Sequence, residues 1–103
     1  MKYKCQVCKT EIDNRGYIEE DTGVSLCSEH YDEILDRNML DARFTLSRVK
    51  GKVLVLDLQG TQACAIQHNE LSMYYSVMSD LDLYEAIYGE YYDVLTDLGL
   101  IGD

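Results

Sequence analysis

The sequence predicts an α+β fold: an N-terminal lobe built on cysteines, then a three-stranded antiparallel β-meander, then C-terminal helices. Three observations predict it. Cys5 and Cys8 stand in C-x2-C spacing and are followed, after eighteen intervening residues, by Cys27 and His30 in C-x2-H spacing. From Ala42 to Gln67 the apolar residues recur with a period of two, and from Asn69 to Leu98 they recur at helical spacing. The lobes divide near residue 40, into 1-40 and 41-103, and the two together are short enough to pack as one compact unit.

Three thiols and one imidazole are the ligand count and chemistry that tetrahedral Zn²⁺ requires, so Cys5, Cys8, Cys27 and His30 are the predicted ligands of a structural zinc ion. With all four positions filled by protein, none is left for an activated water, and metal-dependent hydrolysis is not expected. A disulfide framework is the rival reading of four cysteines in a short chain. Against it, Lys2-Tyr3-Lys4 leads straight into the motif without an apolar signal segment, and no apolar run is long enough to span a membrane. His30 also takes the place of a fourth thiol, while Cys64 is remote. The expectation is a reduced, cytoplasmic protein.

Within the first lobe, Cys5 to Lys9 forms the metal knuckle and Asp13-Asn14-Arg15-Gly16 a turn. Gly16 to Glu19 and Gly23 to Leu26 are the arms of a hairpin around Glu20-Asp21-Thr22. Ser28 is placed to cap a helix, with Glu29 and Asp32 in its positive first turn, and Tyr31, Ile34, Leu35 and Met39 make an apolar face. The C-x2-C-x18-C-x2 spacing, the segment Gly23-Val24-Ser25-Leu26 and the helix opening at Glu29-His30-Tyr31-Asp32 resemble the N-terminal zinc-binding domain of ClpX-type AAA+ unfoldases. That resemblance covers about the first 40 residues, with His30 where the family has Cys and no ATPase module behind it. It implies a treble clef, whose last two ligands come from the first turn of a helix, and a docking or dimerising role rather than unfoldase activity.

In the second lobe, Phe44, Leu46 and Arg48 alternate with Thr45, Ser47 and Val49, and Lys50-Gly51-Lys52 is a turn. Val53 to Leu58 is a nearly continuous aliphatic run suited to a central strand; Gln59-Gly60-Thr61 turns into a third strand at Gln62 to Gln67. Cys64 and His68 suggest a second metal pair, but residues four apart on a strand lie about 13 Å from each other. Cys64 is therefore expected to be a small core residue.

The last third is helical. Asn69 can cap a helix carrying Leu71, Tyr74, Tyr75 and Met78, and Ser79-Asp80-Leu81-Asp82 reads as a capping box opening a second. Projected as one helix ending at Gly99, that second segment puts Leu81, Tyr84, Ile87, Tyr88, Tyr91, Val94, Leu95 and Leu98 on one face. Asp82, Glu85, Glu90, Asp93 and Asp97 fall opposite them.

Charge distribution carries the functional expectation. The chain holds 19 Asp and Glu against 9 Lys and Arg, for a net charge of -10, and every basic residue lies between Lys2 and Lys52. A zinc ion with three thiolates adds about one more negative charge. Such a surface repels nucleic acid and anionic membranes and attracts a basic partner. A one-signed helix face costs stability, and its acids would be spaced about 4.5 to 7.5 Å along the axis, comparable to successive phosphates. Asp82, Glu85, Glu90, Asp93 and Asp97 are thus the expected contact residues for a basic, nucleic-acid-binding protein that the chain inhibits or modulates, as small DNA-mimicking phage proteins do. The alternative is a zinc-finger nucleic-acid binder using Lys2, Lys4, Lys9 and Arg15, or Arg43, Arg48, Lys50 and Lys52. A homodimer through the zinc lobe or the tyrosine-rich helices is a further partnership open to the chain. Catalysis is not expected, since phosphate-cradling, G-x-S-x-G and H-E-x-x-H motifs are all missing.

Overall fold

The computed structural model describes residues 3–70 and 77–102, with only the backbone of His68. The order of elements is α+β: β1 (Tyr17–Glu19), β2 (Val24–Leu26), α1 (Ser28–Asp36), β3 (Phe44–Val49), β4 (Lys52–Asp57), β5 (Gln62–Gln67), α2 (Asp80–Glu90) and α3 (Tyr92–Asp97). A 3-10 turn occupies His68–Glu70. The helix expected between Asn69 and Met78 falls mainly on residues 71–76, outside the described residues.

The first lobe forms as its residue types dictate. The chain doubles back on itself between the Lys4↔Glu11 bridge and the β1–β2 hairpin, whose register pairs Tyr17 with Leu26 and Glu19 with Val24. Gly16 sits where the two meet: a Cβ there would collide with the Ile12 side chain and lie 2.8 Å from the Leu26 carbonyl oxygen. Helix α1 starts one residue earlier than Ser28 predicts, because Cys27 is the extended N-cap and Ser28 is already helical. Tyr31 stacks on Tyr17 with centroids 4.6 Å apart, which holds α1 against the hairpin. Ile34 and Met39 are buried, whereas Leu35, expected on the same face, is exposed.

Three strands make one antiparallel sheet in the order β3-β4-β5, with the aliphatic run at its centre as expected. Lys50-Gly51 is a two-residue turn between Val49 and Lys52. After β4, the Asp57 carboxylate accepts from the N–H groups of Gln59 and Thr61, both at 2.9 Å, and so shapes the second turn. A bulge between Val55 and Leu56 shifts the register against β5. Phe44, Leu46, Val53, Val55 and Ile66 point into the core, while Arg48, expected in phase with Phe44 and Leu46, is exposed.

The predicted last helix is two. Ser79 caps α2 as expected, its hydroxyl accepting from Asp82 N–H at 3.1 Å. At Tyr91 the backbone leaves helical geometry (φ -113°, ψ 24°), and α3 begins in a new phase. A straight helix would carry the chain end past the core. The turn instead returns it, so that Ala42 bridges Ile101 and Arg43 N–H donates to the Leu100 carbonyl at 2.7 Å. Gly99, with φ +77°, closes α3: its N–H reaches Thr96 O and that of Leu100 reaches Leu95 O, the left-handed glycine cap of a helix end. Two corrections to the projected face follow. Leu83 is buried although it was not placed on the apolar side, and Val94 and Leu98 are 47% and 44% exposed.

One continuous core joins both ends of the chain, with Cys5, Val24, Leu26 and Ile34 from the first lobe and Phe44, Val55, Tyr84 and Leu95 from the second. The rings of Phe44 and Tyr84 stack at 4.5 Å at its centre.

Candidate metal centre and acidic face

The knuckle is a tight backbone loop in which Lys9 N–H donates to Cys5 O at 2.8 Å and Cys5 N–H to Thr10 O at 2.9 Å. Lys9 takes φ +63° to complete it. Gln6 N–H then reaches Ser25 O on β2 at 2.9 Å, which aligns the knuckle with the strand that leads into Cys27. Cys27 is the N-cap of α1 and His30 lies in the helix's first turn, so their spacing of three brings both onto one side.

The result is a closed cluster. One ligand atom from each of Cys5, Cys8, Cys27 and His30 lies within 4.8 Å of the others. His30 Nδ1 is 3.2 Å from Cys27 Sγ and 3.7 Å from Cys5 Sγ; Cys8 and Cys27 Sγ are 3.9 Å apart. Donor atoms about 2.1 to 2.3 Å from a central tetrahedral ion stand roughly 3.5 to 3.8 Å from one another, and the observed spacings lie on either side of that range, close enough for the four to close on a metal with small side-chain adjustments. They do not suit a disulfide, and all four cysteines are free thiols. The residues predicted as ligands therefore come together and can hold a metal ion. Cys64, half-buried on β5, is not among them.

The electrostatics agree with a cation. Burial pushes the Cys27 thiol up to about 11, against the pull of the His30 backbone, and the neighbouring Cys5 and Cys8 add to the rise. Burial opposes ionisation of Cys8 too, but hydrogen bonds with Thr10, Cys5 and Cys27 hold it below the usual thiol value. Burial opposes the thiolate form of both Cys8 and Cys27, and a cation bound among them would offset that cost. The N-terminus of α1 supplies a fraction of a charge at Cys27; a divalent ion held there would supply more and displace the thiol protons.

Gln6 is the residue that sequence reasoning missed. As an x of C-x2-C it looks like a solvent-facing spacer, yet it is buried. Its side-chain nitrogen donates to Ala42 O and to the Tyr84 hydroxyl, both at 2.8 Å, and its side-chain oxygen accepts from Ser25 N–H at 3.2 Å. Thr45 Oγ1 donates to the Gln6 backbone carbonyl at 2.7 Å, and the Tyr84 hydroxyl donates to Phe44 O at 2.7 Å. The metal knuckle is thereby tied to β3 and α2. The only advance signal was a large amide between two ligands.

The acidic face differs from the expected one. Asp82, Glu85, Glu90, Asp93 and Asp97 are all exposed, but the turn at Tyr91 puts Asp93 and Asp97 on α3, apart from the α2 trio. The face is also not free of cations: Arg37 pairs with Glu85, and Arg48 with Asp80 at 3.4 Å. Both arginines come from the first half of the chain, so the fold delivers counter-charge that is invisible in the local sequence. Among the described residues no ion pair is formed by Asp82, Glu90, Asp93 or Asp97. No helix among the described residues is long and apolar enough to cross a membrane.

Neither a family model, nor a curated protein, nor a solved structure matches this chain. The fold and the Cys/His cluster define the class as a small α+β protein whose Cys5, Cys8, Cys27 and His30 could hold a metal ion. Any narrower assignment has to come from the geometry itself.

Proposed function

We propose that the chain is a zinc-stabilised acidic interaction module, not an enzyme, which binds and inhibits or modulates a basic nucleic-acid-binding protein in the manner of a DNA mimic. In this reading the knuckle, the β1–β2 hairpin and α1 are a treble clef whose Zn²⁺ serves structure alone, because protein fills all four ligand places. The ion would be held by Cys5, Cys8, Cys27 and His30 and would supply the cohesion that a lobe of this size lacks.

The observation that carries the reading is the set of exposed carboxylates, Asp82, Glu90, Asp93 and Asp97, which form no ion pair among the described residues. The rival, direct nucleic-acid binding, loses one of its candidate phosphate contacts, because Arg48 is held by the Met78 carbonyl and Asp80. Titrating a purified histone-like protein against the chain at several salt concentrations tests the reading. Binding should weaken steeply with salt and fall further in a Glu90→Gln, Asp93→Asn, Asp97→Asn variant with unchanged circular dichroism. Equal affinity of the variant, or a shift of duplex DNA by the chain alone, would count against it.

A further inference from the structure

A cleft of about 340 Å³ opens between the β1–β2 hairpin and the segment that leads into β3. Its size falls at the small end of the range for sites that take small molecules. Val24 and Leu40 give it apolar walls, and three charged residues, Glu19, Asp41 and Arg43, line it as well.

Arg43 is the anomaly among them. In a chain of net charge -10, this half-buried side chain pairs with no carboxylate among the described residues. Its Nε is buried without any hydrogen-bond partner. A guanidinium so placed is costly to keep from water unless an acceptor meets its remaining donors, the two Nη nitrogens. The cleft's own carboxylates do not serve. Glu19 Oε2 accepts from the Tyr17 hydroxyl at 3.2 Å, and Asp41 Oδ1 accepts from the Tyr88 hydroxyl at 2.7 Å. Each carboxylate is thus anchored to a tyrosine and keeps one oxygen, Glu19 Oε1 and Asp41 Oδ2, without a hydrogen bond among the described residues.

One unmet cation beside two anchored carboxylates selects the charge of a ligand. A phosphate or other polyanion is repelled by the two acids, and a simple cation leaves Arg43 unmet. A molecule that carries both signs satisfies all three groups.

We infer that this cleft binds a free α-amino acid with an aliphatic side chain. Its carboxylate accepts from the Arg43 Nη atoms, its ammonium donates to Glu19 and Asp41, and its side chain lies against Val24 and Leu40. The inference is independent of the acidic-module reading, since no residue lining the cleft belongs to α2 or α3. To test it, L-leucine is titrated into the intact, metal-loaded chain and followed by calorimetry and by amide shifts in ¹H–¹⁵N NMR spectra. Two analogues each delete one charge: 4-methylpentanoate lacks the ammonium, and 3-methylbutylamine lacks the carboxylate. Leucine should bind and move the amides of Val24, Leu40 and Arg43. Each analogue should bind about tenfold more weakly or worse, the scale of a lost charge-assisted contact. Arg43→Gln should weaken leucine about tenfold while leaving 3-methylbutylamine unchanged, a distinction that a general loss of structure would not produce. Glu19→Gln with Asp41→Asn, which keeps an acceptor for each tyrosine, should weaken leucine and spare 4-methylpentanoate. Absence of leucine-induced shifts at the cleft, leucine bound no better than 4-methylpentanoate, or leucine binding that survives Arg43→Gln would each overturn the inference.

Discussion

Replacing Tyr84 by Phe removes one oxygen atom from the centre of the core and is the sharpest test of how the two halves of the chain are joined. The ring is fully buried and stacks on Phe44 at 4.5 Å, so the substitution keeps packing and isolates the polar contribution. Two hydrogen bonds are lost, the donation to Phe44 O at 2.7 Å and the acceptance from Gln6 at 2.8 Å. Each is worth about 1 kcal/mol net, and the partners left behind are buried and unsatisfied, which brings the cost to about 2 to 3 kcal/mol. For a domain of this length that lowers the melting temperature by on the order of 10 °C. Gln6→Met, similar in volume, strips the side-chain bonds to Ala42, Ser25 and Tyr84 and should cost about 3 kcal/mol. Because the two residues share a bond, the double variant should be more stable than the sum of the singles by about 1 kcal/mol. Urea and thermal unfolding must be run at fixed free metal, since ligation itself shifts stability. A Tyr84→Phe protein within about 0.5 kcal/mol of wild type, or strict additivity with Gln6→Met, would refute the coupling.

Gly16→Ala should destabilise the hairpin by about 1 to 3 kcal/mol or block folding, because the added methyl meets Ile12 and the Leu26 carbonyl; thermal melts check it. Alkaline pH should unfold the protein. Burial, outweighing the hydrogen bond from Gln6, raises the Tyr84 phenol well above its usual value, so the folded state keeps a proton that the unfolded state releases. Its contribution is therefore complete below about pH 10 and lost as pH climbs past it, and tyrosinate absorbance should rise together with loss of circular dichroism. Chelation should disorganise the knuckle and, through Gln6, perturb the near-ultraviolet signal of Tyr84; an unchanged aromatic spectrum would sever that link.

The parts of the fold legible in sequence were those encoded locally. The C-x2-C and C-x2-H spacings picked out the four residues that cluster because a knuckle and a helix turn convert short spacing into proximity. Period-two patterning and the Gly51 and Gly60 turns yielded the sheet, with its central strand. What stayed hidden was tertiary. Nothing near Glu85 or Asp80 announces Arg37 and Arg48, which arrive only when α1 and β3 are placed beside α2. The break at Tyr91 answers to the need to return Leu100 and Ile101 to Ala42, a demand that no helical periodicity records. Gln6 and Leu83 were overlooked for the same reason: their burial depends on partners remote in the chain.

The account's central claim is that Cys5, Cys8, Cys27 and His30 together hold one ion. Replacement of the native metal by Co²⁺ tests it most directly, since cobalt reports its own ligands in visible absorption. The wild type should bind one equivalent with intense tetrahedral bands and thiolate-to-cobalt charge transfer. Cys64→Ser should leave the spectrum unchanged, and Cys27→Ser should reduce the charge transfer. Absence of a stoichiometric cobalt complex, or a spectrum that responds to Cys64 and not to Cys27, would contradict it.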